Sequence, residues 1–332
     1  MTRLGHRPIV SGSVAVLLLM WISPLVAQQP AARPAARAPQ VPRSADGHPD
    51  LQGFWSNATI TPLERPAEFA DKAFFTAAEA AEFERTALER LLDFLGPEDR
   101  LLAADVNYTY MDYQKVAENR RTSLIVDPAD GKIPPQIPQA VDRAARWPKS
   151  SSDDPEVTGL DERCLLSVAL GSSNSSPPLV PNVFGQNIYQ IVQTPQYVML
   201  FSELVHDARI IRINGKHPPA NIQHWLGDSI GHWEGDTLVV DTTNFTAKTH
   251  FKGSSEKLHV VERFSRTDQN TIQYRVTLDD PDTWATSWTA EILFKTTGDR
   301  MFEFACHEAN YAMTGILRGA RVAEREAAQK PH

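Results

Sequence analysis

The chain has 332 residues, 42% of them hydrophobic, and a net charge of −8 at pH 7. That apolar content suits a globular core, and the length suits one large β domain or two small ones. The acidic balance, with no Lys/Arg cluster beyond the first few dozen residues, excludes nucleic acid as a partner, because backbone phosphates require a basic footprint.

At the N-terminus Arg3 and Arg7 precede an uncharged apolar run from Ile9 to Val26, the basic and apolar regions of a secretory signal peptide. Pro24 breaks the run, and cleavage after Ala27 leaves Gln28 first. Residues 1–27 are therefore expected to direct the chain to the periplasm or medium, with no stable membrane insertion after cleavage; a retained anchor is the competing reading. No Cys follows the apolar run to carry a lipid. Residues 28–45 are rich in Pro, Ala and Arg and read as a disordered tether, unable to bury enough apolar surface to offset chain entropy.

Residues 46–181 predict a helix and an irregular arm packed on the core. Leu51-Gln52-Gly53-Phe54-Trp55 reads as an edge strand or docked arm. Thr76 and Glu79 have the capping-box spacing, Phe83, Ala87, Leu91 and Phe94 recur on one face, and Gly96-Pro97 stops the helix. From residue 107 onward a loop is expected, with a turn signal at Asp127-Pro128-Ala129-Asp130-Gly131 and with Pro134, Pro135 and Pro138 against regular structure. So long an irregular stretch wraps a core or shapes a site.

Residues 182–322 change texture. Runs rich in Val, Ile, Tyr, Phe and Thr, at 188–193, 197–203, 208–213, 237–242, 258–265, 271–278, 287–294 and 300–305, alternate with turn signals of hairpin length. The expected fold is mainly β: an antiparallel meander closing into a lipocalin-like barrel, since closure removes exposed edges, with a β-sandwich as the alternative. Residues 46–322 form one folding unit in this reading, and 323–332 a disordered tail.

Three segments concentrate groups able to do chemistry. His206, Asp207 and Arg209 follow one another at a turn between strands: an Asp can orient an imidazole, and an Arg can stabilise an oxyanion. A solvated hairpin end is the structural alternative. His307, Glu308 and Tyr311 follow Cys306, and rigid placement beside a disulfide would favour a site. The third segment, 224–237, is expected as a loop over the barrel opening, with Trp225 and Trp233 as a stacking wall and Asp228 as a polar contact. His259 joins these as a substrate-binding candidate, on the face of its strand that also carries Val261 and Arg263, opposite Val260, Glu262 and Phe264.

Cys164 and Cys306, the two cysteines, form a natural disulfide pair in an exported chain; two buried free thiols are the alternative. They lie 142 residues apart, so a bond would stabilise by roughly 4 to 5 kcal/mol on the chain-entropy model. No H-x-x-x-H or H-E-x-x-H spacing announces a metal, although His206, His224, His307 and Glu308 are free to converge in space. No phosphate loop, nucleophile elbow or dinucleotide fingerprint is present, and no cofactor is expected.

Longer strings carry a resemblance. Trp225-Leu226-Gly227-Asp228-Ser229, the run from Gly231 to Phe245 (GHWEGDTLVVDTTNF), Ala305-Cys306-His307-Glu308-Ala309-Asn310-Tyr311 and the upstream Thr122–Pro128 make the chain similar to a family of exported bacterial proteins usually labelled hypothetical. The likeness runs from Leu51 to about Arg321. It implies a bacterial source and no catalytic assignment. The shorter Trp-Glu-Gly-Asp-Thr-Leu string also resembles lipocalin-like barrels.

Together these features point to an exported enzyme using metal-free acid/base chemistry, an elimination, isomerisation or hydrolysis, on a small ring-containing molecule. His206 and His307 would move protons, Asp207 and Glu308 orient them, and Arg209 and Tyr311 stabilise developing charge. The competing class is a lipocalin-like protein that binds a lipid or aromatic ligand without reaction.

Overall fold

A computed structural model describes residues 41–94, 115–146, 154–160, 162–166, 177–181, 187–248 and 251–329. The signal peptide, most of the tether and the helix stop at Gly96-Pro97 lie outside the described residues.

The strands are β1 Gly53–Ser56, β2 Ile125–Asp127, β3 Ile188–Gln193, β4 Tyr197–Ser202, β5 Ala208–Ile213, β6 Asp228–Glu234, β7 Thr237–Thr243, β8 His259–Arg266, β9 Thr271–Asp279 and β10 Trp288–Thr296. They form one sheet in the order β1-β3-β4-β5-β6-β7-β8-β9-β10, and β1 also pairs with β10, closing a nine-stranded barrel, with β2 added on β10. Strands that strictly alternate in direction cannot close a ring with an odd number. One parallel pair is required, and it is β5–β6; every other neighbour is antiparallel.

Side-chain alternation sets the core. Trp55, Tyr189, Ile191, Leu200, Ile211, Leu238, Val240, Val260, Phe264, Tyr274, Ile292 and Phe294 belong to one buried cluster. Each large side chain among them contributes roughly 1.5 to 3 kcal/mol by leaving water. The stretch Pro177–Pro181 is buried with this cluster. Leu179 N donates to the Tyr274 hydroxyl at 3.1 Å, and Asn57 Nδ2 donates to Leu179 O at 2.9 Å, so part of the irregular arm is threaded onto the core by its backbone.

Among the described residues three α-helices accompany the barrel. In α1, Ala77–Phe94, the capping box forms as expected: Thr76 N donates to Glu79 Oε2 at 2.8 Å and Glu79 N to Thr76 Oγ1 at 3.3 Å. The second, α2, Pro138–Arg146, was expected as loop. Pro138 opens it, because the first helical position needs no N–H donor and suits the fixed φ of proline. The third, α3, Ala312–Ala328, replaces the end of the expected β region and most of the expected disordered tail.

Two strand expectations are corrected. Residues 228–234, read as loop, are β6. Gly231 there marks close packing and not a turn, since a Cβ would stand 2.9 Å from Ile211 Cγ2 and 3.2 Å from Ile213 Cδ1. Residues 300–305, read as the last strand, are irregular. The edge of β10 they would join is taken by β1, where Trp55 pairs with Thr296. At the other end, the tether is anchored earlier than expected, Arg43 donating to both carboxylate oxygens of Asp236 at 2.8 and 2.7 Å.

Candidate functional site

The parallel pair creates an opening in the barrel wall. Pairing of β5 with β6 is confined to Arg212–Ile230 and Ile213–Gly231, so the first half of β5 has no ladder partner on that side. A cleft of about 610 Å³ occupies the gap. Its walls are Cys164–Leu166, Val205–Ile210 with Arg212, and His224–Ser229. His206, Asp207, Arg209, Trp225 and Asp228, from two of the segments singled out in the sequence, thus line a single space.

The turn before β5 is held in an unusual conformation. Val205 has φ 63° and His206 φ 50°, and across the cleft Cys164 has φ 54°. A β-branched residue in the left-handed region is a true outlier, and each such residue costs about 1 to 3 kcal/mol. The surroundings over-determine the turn: Leu204 and Val205 are buried, Ser202 N donates to Asp207 O at 2.9 Å, and Glu203 Oε1 accepts Phe302 N–H at 2.9 Å. Burial raises the Glu203 carboxyl above its ordinary value, and the Phe302 hydrogen bond opposes that rise.

The same contact aligns the Phe302–Cys306 stretch beside the turn, and the Cys164–Cys306 disulfide ties it to the opposite wall. In consequence His206 Nδ1 lies 3.1 Å from the carbonyl oxygen of Phe304. A carbonyl oxygen only accepts, so Nδ1 carries the proton, and in the neutral ring Nε2 is left as the lone pair. His206 is thereby oriented as a base by a backbone carbonyl. The sequence points to Asp207 for that task, and nothing in a sequence marks a carbonyl a hundred residues away.

Arg209 reaches inward. Its Nη1 and Nη2 donate to Glu262 Oε2 and Oε1 at 2.6 and 2.9 Å, with the pair 3% and 0% exposed, and the Tyr274 hydroxyl donates to Glu262 Oε1 at 3.0 Å. Burial acts against the Arg209 charge, and the Glu262 carboxylate outweighs it, leaving the guanidinium above its ordinary value. Burial and the adjacent Glu262 charge push the Tyr274 phenol well above its own.

Arg212, on the opposite face of β5, begins a chain of alternating charge along the outer wall. It forks onto Asp228 at 2.9 and 2.8 Å; His217 Nδ1 lies 2.7 Å from Asp228 and its Nε2 3.0 Å from Asp241; His259 Nε2 lies 2.8 Å from Asp241. Carboxylates only accept, so both His217 bonds form together in the imidazolium. Burial works to raise Asp228 and Asp241, yet the hydrogen bonds from Arg212 and His217, and from His259 and His217, hold both below the usual range. The hydrogen bond and charge of Asp241 raise His259, against burial. This network pins the crossover 214–227 to the barrel, and that crossover carries His224 and Trp225 to the cleft.

The remaining expected residues are placed elsewhere. Trp233 stacks on His48, rings 4.4 Å apart and 4° from parallel. Asp228 belongs both to the cleft and to the outer network, while His259 belongs to the network alone. His307, Glu308 and Tyr311 are exposed on the turn after Cys306 and are not among the residues lining the cleft, Tyr311 at 78% exposure. Among the described residues no three His, Cys, Asp or Glu gather as a metal-holding group, and no helix is long and apolar enough to cross a membrane.

Comparison of the chain with family models, curated proteins and solved structures finds no match.

Proposed function

We propose that the chain is an exported acid/base enzyme, in which His206 takes a proton from a small ring-containing molecule bound in the wall cleft. The observation that carries this reading is the Nδ1 contact to Phe304 O, which leaves Nε2 as the base at a strained turn facing a cavity of ligand size. Trp225 supplies a stacking surface, with Asp207 and His224 as neighbouring polar groups. Arg209 has its charge matched by Glu262 and serves as the cleft floor. The reaction class is elimination, isomerisation or hydrolysis. Periplasmic or secreted location follows from the leader, and the Cys164–Cys306 bond supports it, because disulfides persist in oxidising compartments.

A panel of small cyclic esters, hydroxy acids and enolisable ketones, turned over by the purified mature chain, tests the proposal. His206→Ala is expected to lower kcat by about 10²- to 10⁴-fold with folding unchanged. Trp225→Ala is expected to raise KM with kcat nearly unchanged. Full turnover in His206→Ala would overturn the assignment. The alternative, a non-catalytic binder of aromatic ligands, is favoured by the apolar part of the same cleft, whose lining includes Trp225 and Ile210, the latter 48% exposed. It is distinguished by ligand capture that survives His206→Ala with no turnover in either protein.

A further inference from the structure

The edge of β5 that faces the wall cleft has backbone groups to spare. At the two ends of the β4–β5 ladder, Ser202 N donates to Asp207 O at 2.9 Å and Ile213 N donates to Gln196 O at 2.8 Å. Bonded pairs alternate along an antiparallel ladder, so residues 207, 209, 211 and 213 turn their N–H and C=O groups to β4, and Ala208, Ile210 and Arg212 turn theirs the other way. On that side Arg212 lies in the short parallel pairing with β6, which continues to Asn214, whose N donates to Gly231 O at 2.6 Å. Ala208 and Ile210 lie outside that pairing. Among the described residues neither makes a backbone bond on the cleft side, and both are exposed and line the cleft. Two N–H and two C=O groups are thus presented, in the spacing of an edge strand, to a cavity of about 610 Å³.

The side chains around this edge are apolar on the outer face. Val192 of β3 pairs with Met199 of β4, and Met199 pairs with Ile210 of β5. Alternation puts all three on the outer face, with Val192 37% and Ile210 48% exposed, and the row ends at the gap. On the inner face Arg209 is sealed against Glu262. Both arginines of the lining are forked onto acids, Arg209 onto Glu262 and Arg212 onto Asp228, so neither is left over for an anionic ligand. The groups that the edge itself offers are neutral backbone.

We propose that the molecule taken by the wall cleft is a short extended peptide, added antiparallel to the β5 edge as one more strand. This rests on the reading of the cleft as the ligand site and names the class of ligand. The ligand residues opposite Ile210 and Ala208 each exchange two backbone hydrogen bonds with them, and the residue between turns its N–H and C=O away. Antiparallel addition satisfies all four groups with three residues. A parallel strand would place one residue between Ala208 and Ile210 and need two more on either side to reach the rest. The ring-bearing side chain belongs opposite Ile210, where it extends the outer apolar row and makes a favourable aromatic to β-branched pair. The middle residue, level with Arg209, faces inward and is small.

N-acetyl-Phe-Ala-Ala-amide is the probe, titrated into the purified mature chain by calorimetry, and one saturable site is expected. The analogue N-methylated on its third residue, whose N–H points at Ala208 O, is expected to bind at least about tenfold more weakly. The analogue methylated on its middle residue, whose N–H points away from β5, is expected to stay within about threefold of the parent. Ile210→Pro deletes an N–H that the β4 ladder does not use, at a position where an edge strand accepts proline, and is expected to weaken the parent peptide by about tenfold or more. If that variant fails to fold, the two methylated peptides decide the matter on the unaltered protein. His206→Ala is expected to leave peptide affinity unchanged, which separates this site from the chemistry assigned to His206. Peptide binding with the expected methylation pattern supports the site whether or not turnover is found. Turnover of ring compounds without saturable peptide binding would overturn the site alone, and so would equal affinity of the two methylated analogues.

Discussion

Arg209 and Arg212 stand three residues apart on β5 and do opposite things. Arg209 turns into the barrel and meets Glu262 in a sealed bidentate pair; Arg212 turns out and meets Asp228 at the head of a half-exposed chain running through His217 and Asp241 to His259. Strand alternation alone separates them. Inside, water cannot compensate for a missing partner, so the pair is tied to the integrity of the fold. Outside, water reaches Arg212, Asp241 and His259, so the chain responds to pH and orders a loop without governing global stability.

The comparison breaks most sharply at Glu262. Glu262→Gln leaves Arg209 charged and buried, and a loss of about 3 to 5 kcal/mol is expected in urea unfolding. Replacing both partners, Arg209→Met with Glu262→Leu, is expected to recover most of that loss, since apolar residues of similar volume remove the desolvation penalty on both sides. A double variant as unstable as Glu262→Gln would show that the pair does more than match charge.

Removing the disulfide comes next. Cys164→Ala with Cys306→Ala is expected to lose roughly 2 to 5 kcal/mol and to free the segment that carries Phe304 O. Exposed-pair energetics place the outer network last, and His259→Asn is expected to cost about 1 kcal/mol or less.

The pH dependence sharpens the contrast, because the two kinds of group titrate in opposite senses. His259 has a raised value, so its contribution is complete below about pH 6.5 and disappears as pH rises through its folded value. Asp228 and Asp241 have lowered values, so theirs is present above about pH 4 and is lost as pH falls through theirs. The stability difference between wild type and His259→Asn, followed by urea midpoint, is therefore expected to be largest between these limits and to shrink at both ends. A difference independent of pH would show that the His259–Asp241 link does not contribute to stability.

Much of the barrel was legible in the sequence because strands β3, β4, β5, β7, β8, β9 and β10 carry apolar residues at alternate positions, and turn residues separate them, Pro195 between β3 and β4 and Asp268 and Asn270 between β8 and β9. β6 was hidden by Gly231, whose role is to let β5 and β7 side chains approach, and the same residue elsewhere signals a turn. The parallel β5–β6 pair, which opens the cleft, follows from ring closure by β1, a contact between residues far apart in the chain.

At the site, His206, Trp225 and the cysteine pair were visible as residue types. The partners that give them meaning were not. Phe304 acts through its backbone, Glu262 looked like an ordinary strand charge, and His217 sits in a Pro-rich crossover without any motif. Residues after Cys306 drew attention by density of titratable groups, and the fold leaves His307, Glu308 and Tyr311 at the surface.

The most direct measurement concerns the protons on one ring. Long-range nitrogen–proton correlation spectra of the mature chain, labelled at histidine and assigned through His206→Gln, report which nitrogen of neutral His206 is protonated. Nδ1–H with Nε2 as the unprotonated nitrogen is expected, with that pattern lost when Cys164 and Cys306 are both replaced by Ala. Nε2–H in the wild type, with Nδ1 unprotonated, would contradict it.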